Sequence, residues 1–334
     1  MILVTGGTGF LGAHLLLQLS QNDQPIRAIY RNKERIAQNT VLQQIPAHKI
    51  EWVNADVLDL PALEAAFVGV THVYHCAAVV GFHPKLHQKM MRINIQGTAN
   101  MVNLSLDYKV QKFVQVSSIA ALGEADAPSA LVTEENQWKN GEQNQKYALS
   151  KYQSEMEVWR GIEEGLNAVV VNPSIVLGVG NYDETSTQLF GTIYKGLPVT
   201  TTGSCGYVDV RDVAKCMVLL MQSDISAQRF ILNGENSTFT HLFGSIAKAL
   251  GKKPPSYTPP KFMSQIGWRV LEVVSWFTKK TPLVTKETVA SAYRNTAFSN
   301  QKICEALGYT FFPLNETINW VAKDFLAQKQ KHTS

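Results

Sequence analysis

The sequence predicts an α/β fold: a doubly wound parallel sheet with a smaller, mostly helical C-terminal substrate cap. Two observations predict this class. Short apolar runs rich in β-branched residues alternate with helix-length segments through the first half of the chain. Beyond Pro173 this alternation loosens, with Gly, Thr and Pro accumulating from Gly178 to Gly206 and a KKPPSYTPP stretch at 252–260. The 334 residues, 45% of them hydrophobic, suffice to bury a sizeable core.

Six apolar runs are predicted to be strands, each separated from the next by a helix-length segment or a turn: Ile2–Thr5, Ile26–Tyr30, Ile50–Asn54, His72–Cys76, Lys112–Ser117 and Asn167–Asn172. Tyr207–Gln222 and Arg229–Leu232 are predicted to return to the same sheet as a helix and a strand. We therefore expect a dinucleotide-binding domain at 1–173, completed by 207–232, and a cap built from 174–206 and 233–330. Ligands of such a sheet bind at the carboxyl ends of its strands.

The composition argues against several classes of protein. A formal charge of +4 with scattered basic residues gives no patch for nucleic acid. No uncharged apolar run reaches the roughly 18 residues that cross a bilayer, and Met1 leads straight into a strand, so a cytoplasmic location is expected. His83 and His87 have helical spacing, but Pro84 lies between them and no third ligand is evident, so no metal site is predicted. No C-x-x-C motif is present, which indicates free thiols at Cys76, Cys205, Cys216 and Cys304.

A glycine-rich loop, TGGTGFLG, follows the first strand and precedes a helix-like segment. Gly6, Gly9 and Gly12 are three residues apart, which leaves backbone N–H groups and the helix dipole free to meet a pyrophosphate. The last glycine lets helix and sheet approach closely. This context predicts dinucleotide binding and a Rossmann-type sheet, although the spacing is G-x-x-G-x-x-G rather than G-x-G-x-x-G.

The end of the second strand indicates which dinucleotide is bound. An NAD site usually carries an acidic residue there for the ribose 2'-hydroxyl, whereas this chain has Tyr30-Arg31-Asn32-Lys33. Arg31, supported by Lys33, can pair with a 2'-phosphate. NADP(H) is therefore favoured over NAD(H), and a solvated basic turn is the alternative.

Tyr147 and Lys151 stand four residues apart in NQKYALSKYQSE, on one face of a predicted helix. Lowering a phenol pKa from near 10 to about 7 requires roughly 4 kcal/mol. An ammonium about 4 Å away supplies that much at an effective dielectric constant of about 20. The pair is expected to act as a proton donor and acceptor, unless it is simply part of an exposed helix face.

A second hydroxyl is predicted to complete this chemistry. The stretch KFVQVSSIAALG ends a strand with Ser117 and Ser118, at the sheet edge where ligands bind. The Ser118 hydroxyl can hold a carbonyl oxygen while Tyr147 gives that oxygen a proton. Ser118, Tyr147 and Lys151 are the predicted catalytic residues.

Taken together, these motifs resemble the extended short-chain dehydrogenase/reductase family over nearly the whole chain. Within it, the chain is most similar to dihydroflavonol-reductase-like and 3β-hydroxysteroid-dehydrogenase-like members. The resemblance implies catalysis by Ser118, Tyr147 and Lys151, with Lys151 also holding the nicotinamide ribose, and a helix that carries the family asparagine at Asn94. It implies a cofactor site at Gly6, Thr8, Gly9, Phe10, Leu11, Gly12, Arg31, Asp56, Val57, Ala77, Ala78, Tyr147, Lys151 and Pro173.

Three functions are compatible with these motifs. The first is an NADP(H)-dependent oxidoreductase that interconverts a ketone or aldehyde and an alcohol. The second is a sugar-nucleotide epimerase or dehydratase that uses NAD transiently; against it, Leu122-Gly123 stands where epimerases usually carry Tyr-Gly. The third is a non-catalytic dinucleotide sensor, which would not need a matched phenol and lysine.

Several features leave alternatives open. Asp209, Arg211 and Asp212 either reach a substrate or form a helix cap with a structural ion pair, and they are not counted as site residues. Asn94 either belongs to the site, as the family resemblance implies, or its amide only braces the backbone near the catalytic residues. Lys261–Lys280 is rich in Trp, Phe and Val and is interpreted as cap core, with a hydrophobic substrate, peripheral membrane contact or a dimer partner as alternatives. The family resemblance implies a homodimer built from the helices near Asn94–Leu106 and Tyr147–Gly161. A fairly apolar small-molecule substrate is expected.

Overall fold

The computed structural model describes residues 1–81, 84–125, 130–139, 146–260 and 292–331. Its centre is a seven-stranded sheet formed by β1 (Ile2–Thr5), β2 (Ile26–Tyr30), β3 (Ile50–Asn54), β4 (His72–His75), β5 (Lys112–Val116), β6 (Ala168–Pro173) and β9 (Gln228–Leu232). Every neighbouring pair is parallel, in the order β3-β2-β1-β4-β5-β6-β9. This is the predicted Rossmann-type sheet, and each of the six expected strands is present within one residue of its predicted ends.

Helices cover both faces of this sheet or lie outside it. They are α1 (Phe10–Leu19), α2 (Glu34–Gln38), α3 (Leu60–Phe67), α4 (His87–Met91), α5 (Gly97–Asp107), α6 (Lys146–Glu163), α7 (Gln188–Tyr194), α8 (Val210–Gln222), α9 (Phe239–Ala249), α10 (Gln301–Leu307) and α11 (Leu314–Lys331). None of those found among the described residues is both long and apolar enough to serve as a transmembrane segment.

The alternating directions of the β1 side chains explain why helices pack on both faces of the sheet. Successive side chains of a strand point to opposite faces. Ile2 and Val4 pack with the buried residues of α1 and α8, whereas Leu3 packs with those of α3, α5 and α6. Both faces are therefore buried, which is why the strands are continuous apolar runs.

The direction of strand addition reverses at β1, which has β2 on one side and β4 on the other. A crevice forms at such a switch point, outside the carboxyl ends of the strands. The loops that follow β1 and β4 line this crevice.

A second, three-stranded sheet was not expected from the sequence. It is formed by β7 (Ile175–Leu177), β8 (Ser204–Asp209) and β10 (Glu235–Thr238), in the order β10-β8-β7. The predicted helix from Tyr207 is wrong in its first turn, because residues 207–209 belong to β8 and α8 begins at Val210. The strand β7 is only three residues long, and β10 is polar and largely exposed, so neither has a hydropathy pattern that could predict it.

A separate core lies outside the main sheet, where residues of α7, α9 and α11 pack against β7 and β8. The four cysteines are free thiols, as predicted, and Cys216 is the buried one. The Lys261–Lys280 segment lies outside the described residues.

Candidate active site

The glycine loop between β1 and α1 is tightly folded. Gly6 has a φ of +68°, a backbone conformation that favours glycine, and its carbonyl accepts a 2.9 Å hydrogen bond from Gly9 N–H. A Cβ on Gly6 would lie 2.6 Å from Ala77 N, and one on Gly12 would collide with the Gly6 carbonyl oxygen. Only a chain without side chains at these two positions fits, and the loop therefore exposes backbone N–H groups at the start of α1.

An open cleft lies beside this loop, at the carboxyl ends of β1, β2 and β4. It brings together Gly6, Thr8, Gly9, Arg31, Val57, Ala77 and Ala78, seven of the predicted cofactor residues. The cradle of glycines and its exposed backbone fit a dinucleotide pyrophosphate. Phe10, Leu11 and Gly12 open α1 directly behind the loop, and Pro173 ends β6 at the same edge of the sheet.

Basic side chains stand at the β2 end of this cleft. The side chain of Arg31 is 54% exposed, and its Nη1 lies 3.5 Å from Asp56 Oδ2. Arg35, on α2, also lines the cleft and lies 2.9 Å from Glu184. Arg35 was not predicted from the sequence, although its helical spacing from Arg31 could have indicated it. Two guanidinium groups can therefore meet an anion at this end.

The floor of the cleft is fixed by a buried polar chain. Thr5 Oγ1 lies 2.6 Å from His75 Nδ1 and accepts a 3.2 Å hydrogen bond from Ala77 N–H. His75 Nε2 lies 3.1 Å from Thr98 Oγ1. Burial lowers the pKa of His75 to about 3, with Lys151 contributing in the same direction. The neutral imidazole therefore ties β1 to β4 and α5 and holds the backbone of Ala77 against the glycine loop.

The predicted catalytic residues meet at the end of β5. Tyr147, in the first turn of α6, makes a side-chain hydrogen bond with Ser118, whose hydroxyl also accepts from Ala120 N–H at 3.2 Å. Lys151 is 3% exposed, and its Nζ donates a 2.9 Å hydrogen bond to Val116 O. Burial raises the pKa of the Cys76 thiol, and the nearby charge of Lys151 opposes that shift. Cys76 also lines the cofactor cleft, so the two groups of residues are adjacent.

The pKa of Tyr147 differs from the expectation. Burial raises it, and the hydrogen bond with Ser118 offsets this only in part. The expected lowering is therefore wrong for the protein alone, because a phenolate loses more solvation on burial than its neighbours return. Burial also lowers the pKa of Lys151 to about 8, with Glu155 and Cys76 opposing that shift.

Asn94 braces the backbone beside these residues. It lies in a π-helical turn, Arg92–Gln96, just before α5. Its amide oxygen accepts from Val79 N–H at 2.7 Å, and its nitrogen donates to Val79 O and to Ser150 Oγ, each at 3.0 Å. Asn94 thus connects the loop after β4 to the helix that carries Tyr147 and Lys151.

A buried carboxylate that was not predicted from the sequence stands one turn beyond Lys151. Glu155 has no exposed surface and accepts four hydrogen bonds, two on each oxygen. Oε2 accepts from Ser117 Oγ at 2.7 Å and Asn172 Nδ2 at 2.9 Å. Oε1 accepts from Trp159 Nε1 at 3.2 Å and Arg229 Nη1 at 3.3 Å. The spacing of four residues from Lys151 is the signal that could have found it.

The residues at the start of α8 have a structural role. Asp209 caps α8 by accepting from Arg211 N–H at 2.8 Å and also accepts from Thr317 Oγ1 at 2.8 Å. The Arg211 guanidinium lies over the rings of Phe312 and Trp320. Of the two interpretations left open for this group, the structure supports the cap with an ion pair, which joins α8 to α11.

The chain matches a known family over most of its length. Residues 2–232 match the sequence profile of the NAD dependent epimerase/dehydratase family. A putative dihydroflavonol 4-reductase from Synechocystis sp. is 28% identical over 311 residues, which cover 91% of this chain and 88% of the relative. Cinnamoyl-CoA reductase 1 from Arabidopsis thaliana is 27% identical over 270 residues, covering 78% of this chain and 76% of the relative.

A solved structure extends the similarity to the whole fold. The crystal structure of gox2253 superposes with a TM-score of 0.82 at 28% sequence identity and covers 98% of each chain.

Proposed function

Because this chain belongs to the NAD dependent epimerase/dehydratase family and is an NAD(P)-dependent enzyme, we propose that it is an NADP(H)-dependent oxidoreductase. In this proposal it interconverts a ketone or aldehyde and an alcohol, with Tyr147 as the acid and base. The hydrogen-bonded pair of Tyr147 and Ser118, next to the buried Lys151 and the cofactor cleft, is the observation that carries it.

The roles of the side chains follow from their chemistry. The Ser118 hydroxyl holds the carbonyl oxygen of the substrate, and Tyr147 Oη donates a proton to that oxygen. A bound nicotinamide cofactor supplies the hydride to the carbonyl carbon, or accepts it in the reverse direction. Since burial raises the pKa of Tyr147, the phenol is protonated at neutral pH and ready as the donor.

Lys151 has two proposed tasks. Its ammonium holds the nicotinamide ribose, as the family resemblance implies, and its positive charge stabilises the tyrosinate that remains after proton transfer. The hydrogen bond to Val116 O orients the ammonium and leaves its other donors for the ribose and the phenolic oxygen.

The preference for NADP(H) is supported by the charges at the β2 end of the cleft. Arg31 and Arg35 both line it. A 2'-phosphate binds guanidinium groups through charge-assisted hydrogen bonds, whereas a 2'-hydroxyl would leave two cations without an anion of the cofactor.

The names of the two relatives support a reductase, since both are called reductases. The fairly apolar character of the carbonyl compound is part of the proposal. Leu122 is buried in a small apolar cluster, where the epimerases of the family resemblance carry a tyrosine. This favours an oxidoreductase over the sugar-nucleotide alternative.

A cofactor and substrate screen tests the proposal. Ketones, aldehydes, alcohols and nucleotide sugars are incubated with NADPH, NADH and their oxidised forms, and the nicotinamide absorbance and products are followed. We expect NADPH to be consumed with one equivalent of a carbonyl compound. Activity confined to NADH would overturn the role of Arg31. Conversion of a nucleotide sugar with NAD retained would identify an epimerase or dehydratase, and cofactor binding without any turnover would identify a sensor.

We further propose a cytoplasmic location and a homodimer; the family resemblance implies that the dimer is built on α5 and α6. The two helices pack against each other in the described part of the chain. Light scattering on the purified protein gives the oligomeric state, and a monomer at all concentrations would contradict this proposal.

A further inference from the structure

The end of β5 and one face of α6 are joined by three consecutive contacts. Val116 O accepts from Lys151, Ser117 Oγ donates to Glu155, and Ser118 makes its hydrogen bond with Tyr147. The three helix residues are spaced by four, so they lie one above another on the same face. Two of them are the proposed catalytic pair, and Glu155 is the third.

The partners of Glu155 are matched to a carboxylate. The Ser117 hydroxyl, the Asn172 amide nitrogen, the Trp159 indole and the Arg229 guanidinium all supply hydrogens to it. A carboxylate offers about four acceptor sites and no donor, and of these four partners only the Ser117 hydroxyl could also accept a hydrogen. The site therefore suits a carboxylate, although no part of Glu155 reaches solvent.

Arg229 does not account for this charge by itself. Its Nη1 makes one 3.3 Å contact with Glu155 Oε1, while its Nε donates to Glu134 O at 2.9 Å and its Nη2 to Asn136 O at 3.0 Å. Lys151 is buried one turn away on the same face, with Val116 O as its hydrogen-bond acceptor. Arg229 thus contacts the buried carboxylate directly, and the charge of Glu155 also acts on Lys151 from one turn away.

Glu155 also reaches the third catalytic residue. Asn172 Nδ2 donates to Glu155 Oε2 and, at 3.0 Å, to Ser118 O. Through Asn172 and Ser117, the carboxylate ties the ends of β5 and β6 to α6. Its displacement would move the backbone on which the Ser118 hydroxyl is mounted.

We propose that Glu155 is a positioning residue of the active site, whose buried carboxylate fixes Ser118 relative to α6 and serves as the counter-ion that keeps the Lys151 ammonium charged. This inference rests on the proposed function for its effect on turnover, but its electrostatic part concerns the free protein. The charged or titratable groups that act on Lys151 are Glu155 from its own helix and His75 and Cys76 from the end of β4; Tyr147 lies one turn before it.

The decisive variant is Glu155→Gln, with Glu157→Gln as the matched control. Glu157 is on the same helix, half-buried and paired with Arg160 at 3.0 Å. The readout is the titration of Lys151 Nζ in ¹⁵N-lysine NMR spectra of the cofactor-free protein, assigned with Lys151→Met. Because an opposite charge nearby favours the charged form, we expect Glu155→Gln to lower the pKa of Lys151 by about one unit or more. Glu157→Gln should leave it unchanged, and an unchanged value in Glu155→Gln overturns the proposal.

Activity provides the second readout. The loss of kcat/KM on raising the pH should begin about one pH unit lower in Glu155→Gln, which makes the variant about tenfold less active above the wild-type limit. A merely structural role would lower activity equally at every pH. If the wild-type protein turned over no substrate, the proposed function would fail, and the NMR titration would still decide the role of Glu155.

Two further measurements cover the case in which Glu155→Gln does not fold. Glu155→Asp keeps the charge and should keep the pKa of Lys151 near the wild-type value. In the wild-type protein, the ¹³C resonance of the Glu155 carboxyl carbon should be that of a carboxylate at neutral pH. A protonated Glu155 overturns the proposal.

Discussion

The Lys151 ammonium is held between opposing effects. Burial lowers its pKa to about 8, and the negative charge of Glu155 acts in the other direction. A lysine with this value loses its charge just above physiological pH, whereas a solvent-exposed lysine keeps it to about pH 10. The charge on which the proposed chemistry depends is therefore sensitive to moderate alkali.

This balance predicts the alkaline limit of activity. Since the ammonium is needed, kcat/KM should fall above about pH 8, by about tenfold for each further unit. A pH profile of the wild-type enzyme with saturating NADPH measures the limit. A profile that stays flat to about pH 10 would mean that Lys151 titrates as an ordinary lysine.

Cofactor discrimination is expected to depend on the two arginines at the end of β2. Each charge-assisted hydrogen bond to a phosphate contributes about 1.5–3 kcal/mol, so Arg31→Ala and Arg35→Ala should each weaken NADPH binding about tenfold to a hundredfold. NADH binding should change little, because it has no 2'-phosphate. Fluorescence titration gives both dissociation constants, and Lys49→Ala, remote from the cleft and paired with Asp23, is the control. Equal losses for both cofactors would refute 2'-phosphate recognition.

At the scale of elements, the glycine loop and α1 form one unit that excludes side chains at defined places. Gly12 packs against the Gly6 carbonyl, so even a methyl group there must displace backbone. The loop conformation, and with it the direction of the exposed N–H groups, depends on this close approach.

The corresponding prediction compares two helical glycines. Gly12→Ala should destabilise the fold by about 1–3 kcal/mol through overpacking and weaken dinucleotide binding. Gly244 lies in α9, and a methyl group added there would have no atom within 4 Å, so Gly244→Ala should stabilise by up to about 1 kcal/mol and leave binding unchanged. Denaturant unfolding and cofactor titration measure the two effects. Tight binding by Gly12→Ala would contradict the proposed contact.

The elements that could be predicted from the sequence are those whose hydropathy carries a clear signal. The strands of the main sheet are apolar on both faces and bounded by turns, so β1, β2 and β3 were predicted at their observed ends. The small sheet was missed because β7 is short and β10 has polar residues on both faces. These strands are fixed by pairing with β8, and such tertiary pairing leaves no local pattern.

For the whole molecule, burial of titratable groups determines how stability responds to acid. Burial lowers the pKa of His75 to about 3 and also lowers that of His14, so the unfolded chain binds more protons than the folded one below about pH 6.5. Asp212 has the opposite effect on stability in acid, because burial raises its pKa to about 6. In the folded state it takes up a proton before the unfolded chain does.

The free energy of unfolding should therefore fall on acidification. Between pH 7.5 and 5, protonation linked to His75 alone lowers the free energy of unfolding by about 2 kcal/mol, and His14 lowers it further. Asp212 raises the free energy of unfolding by about 1 kcal/mol over the same range. Chemical unfolding at the two pH values measures the net effect, which we expect to be about 1 kcal/mol or more. A protein equally stable at pH 5 would contradict neutral, buried histidines.

The residues of the site that could be predicted from the sequence are those that belong to a short local motif. Ser118, Tyr147, Lys151 and the glycine loop come from local motifs, and the structure brings them to one edge of the sheet. The contacts of Arg229 and Asn172 with Glu155 could not be predicted in this way, because they join segments distant in the sequence. The sign of the pKa shift of Tyr147 was also missed, since desolvation depends on packing that spacing does not specify.

The central claim is that the Tyr147 phenol transfers the proton in a redox reaction, and one comparison tests it most directly. Tyr147→Phe removes that hydroxyl. Tyr152→Phe removes the hydroxyl of a tyrosine five residues further along α6 while keeping the stacking of its ring on Trp138, with ring centroids 4.6 Å apart. We expect Tyr147→Phe to lower kcat/KM for NADPH-dependent carbonyl reduction by about a hundredfold to ten-thousandfold with NADPH affinity retained, and Tyr152→Phe to have little effect. Full activity in Tyr147→Phe would contradict the proposed mechanism.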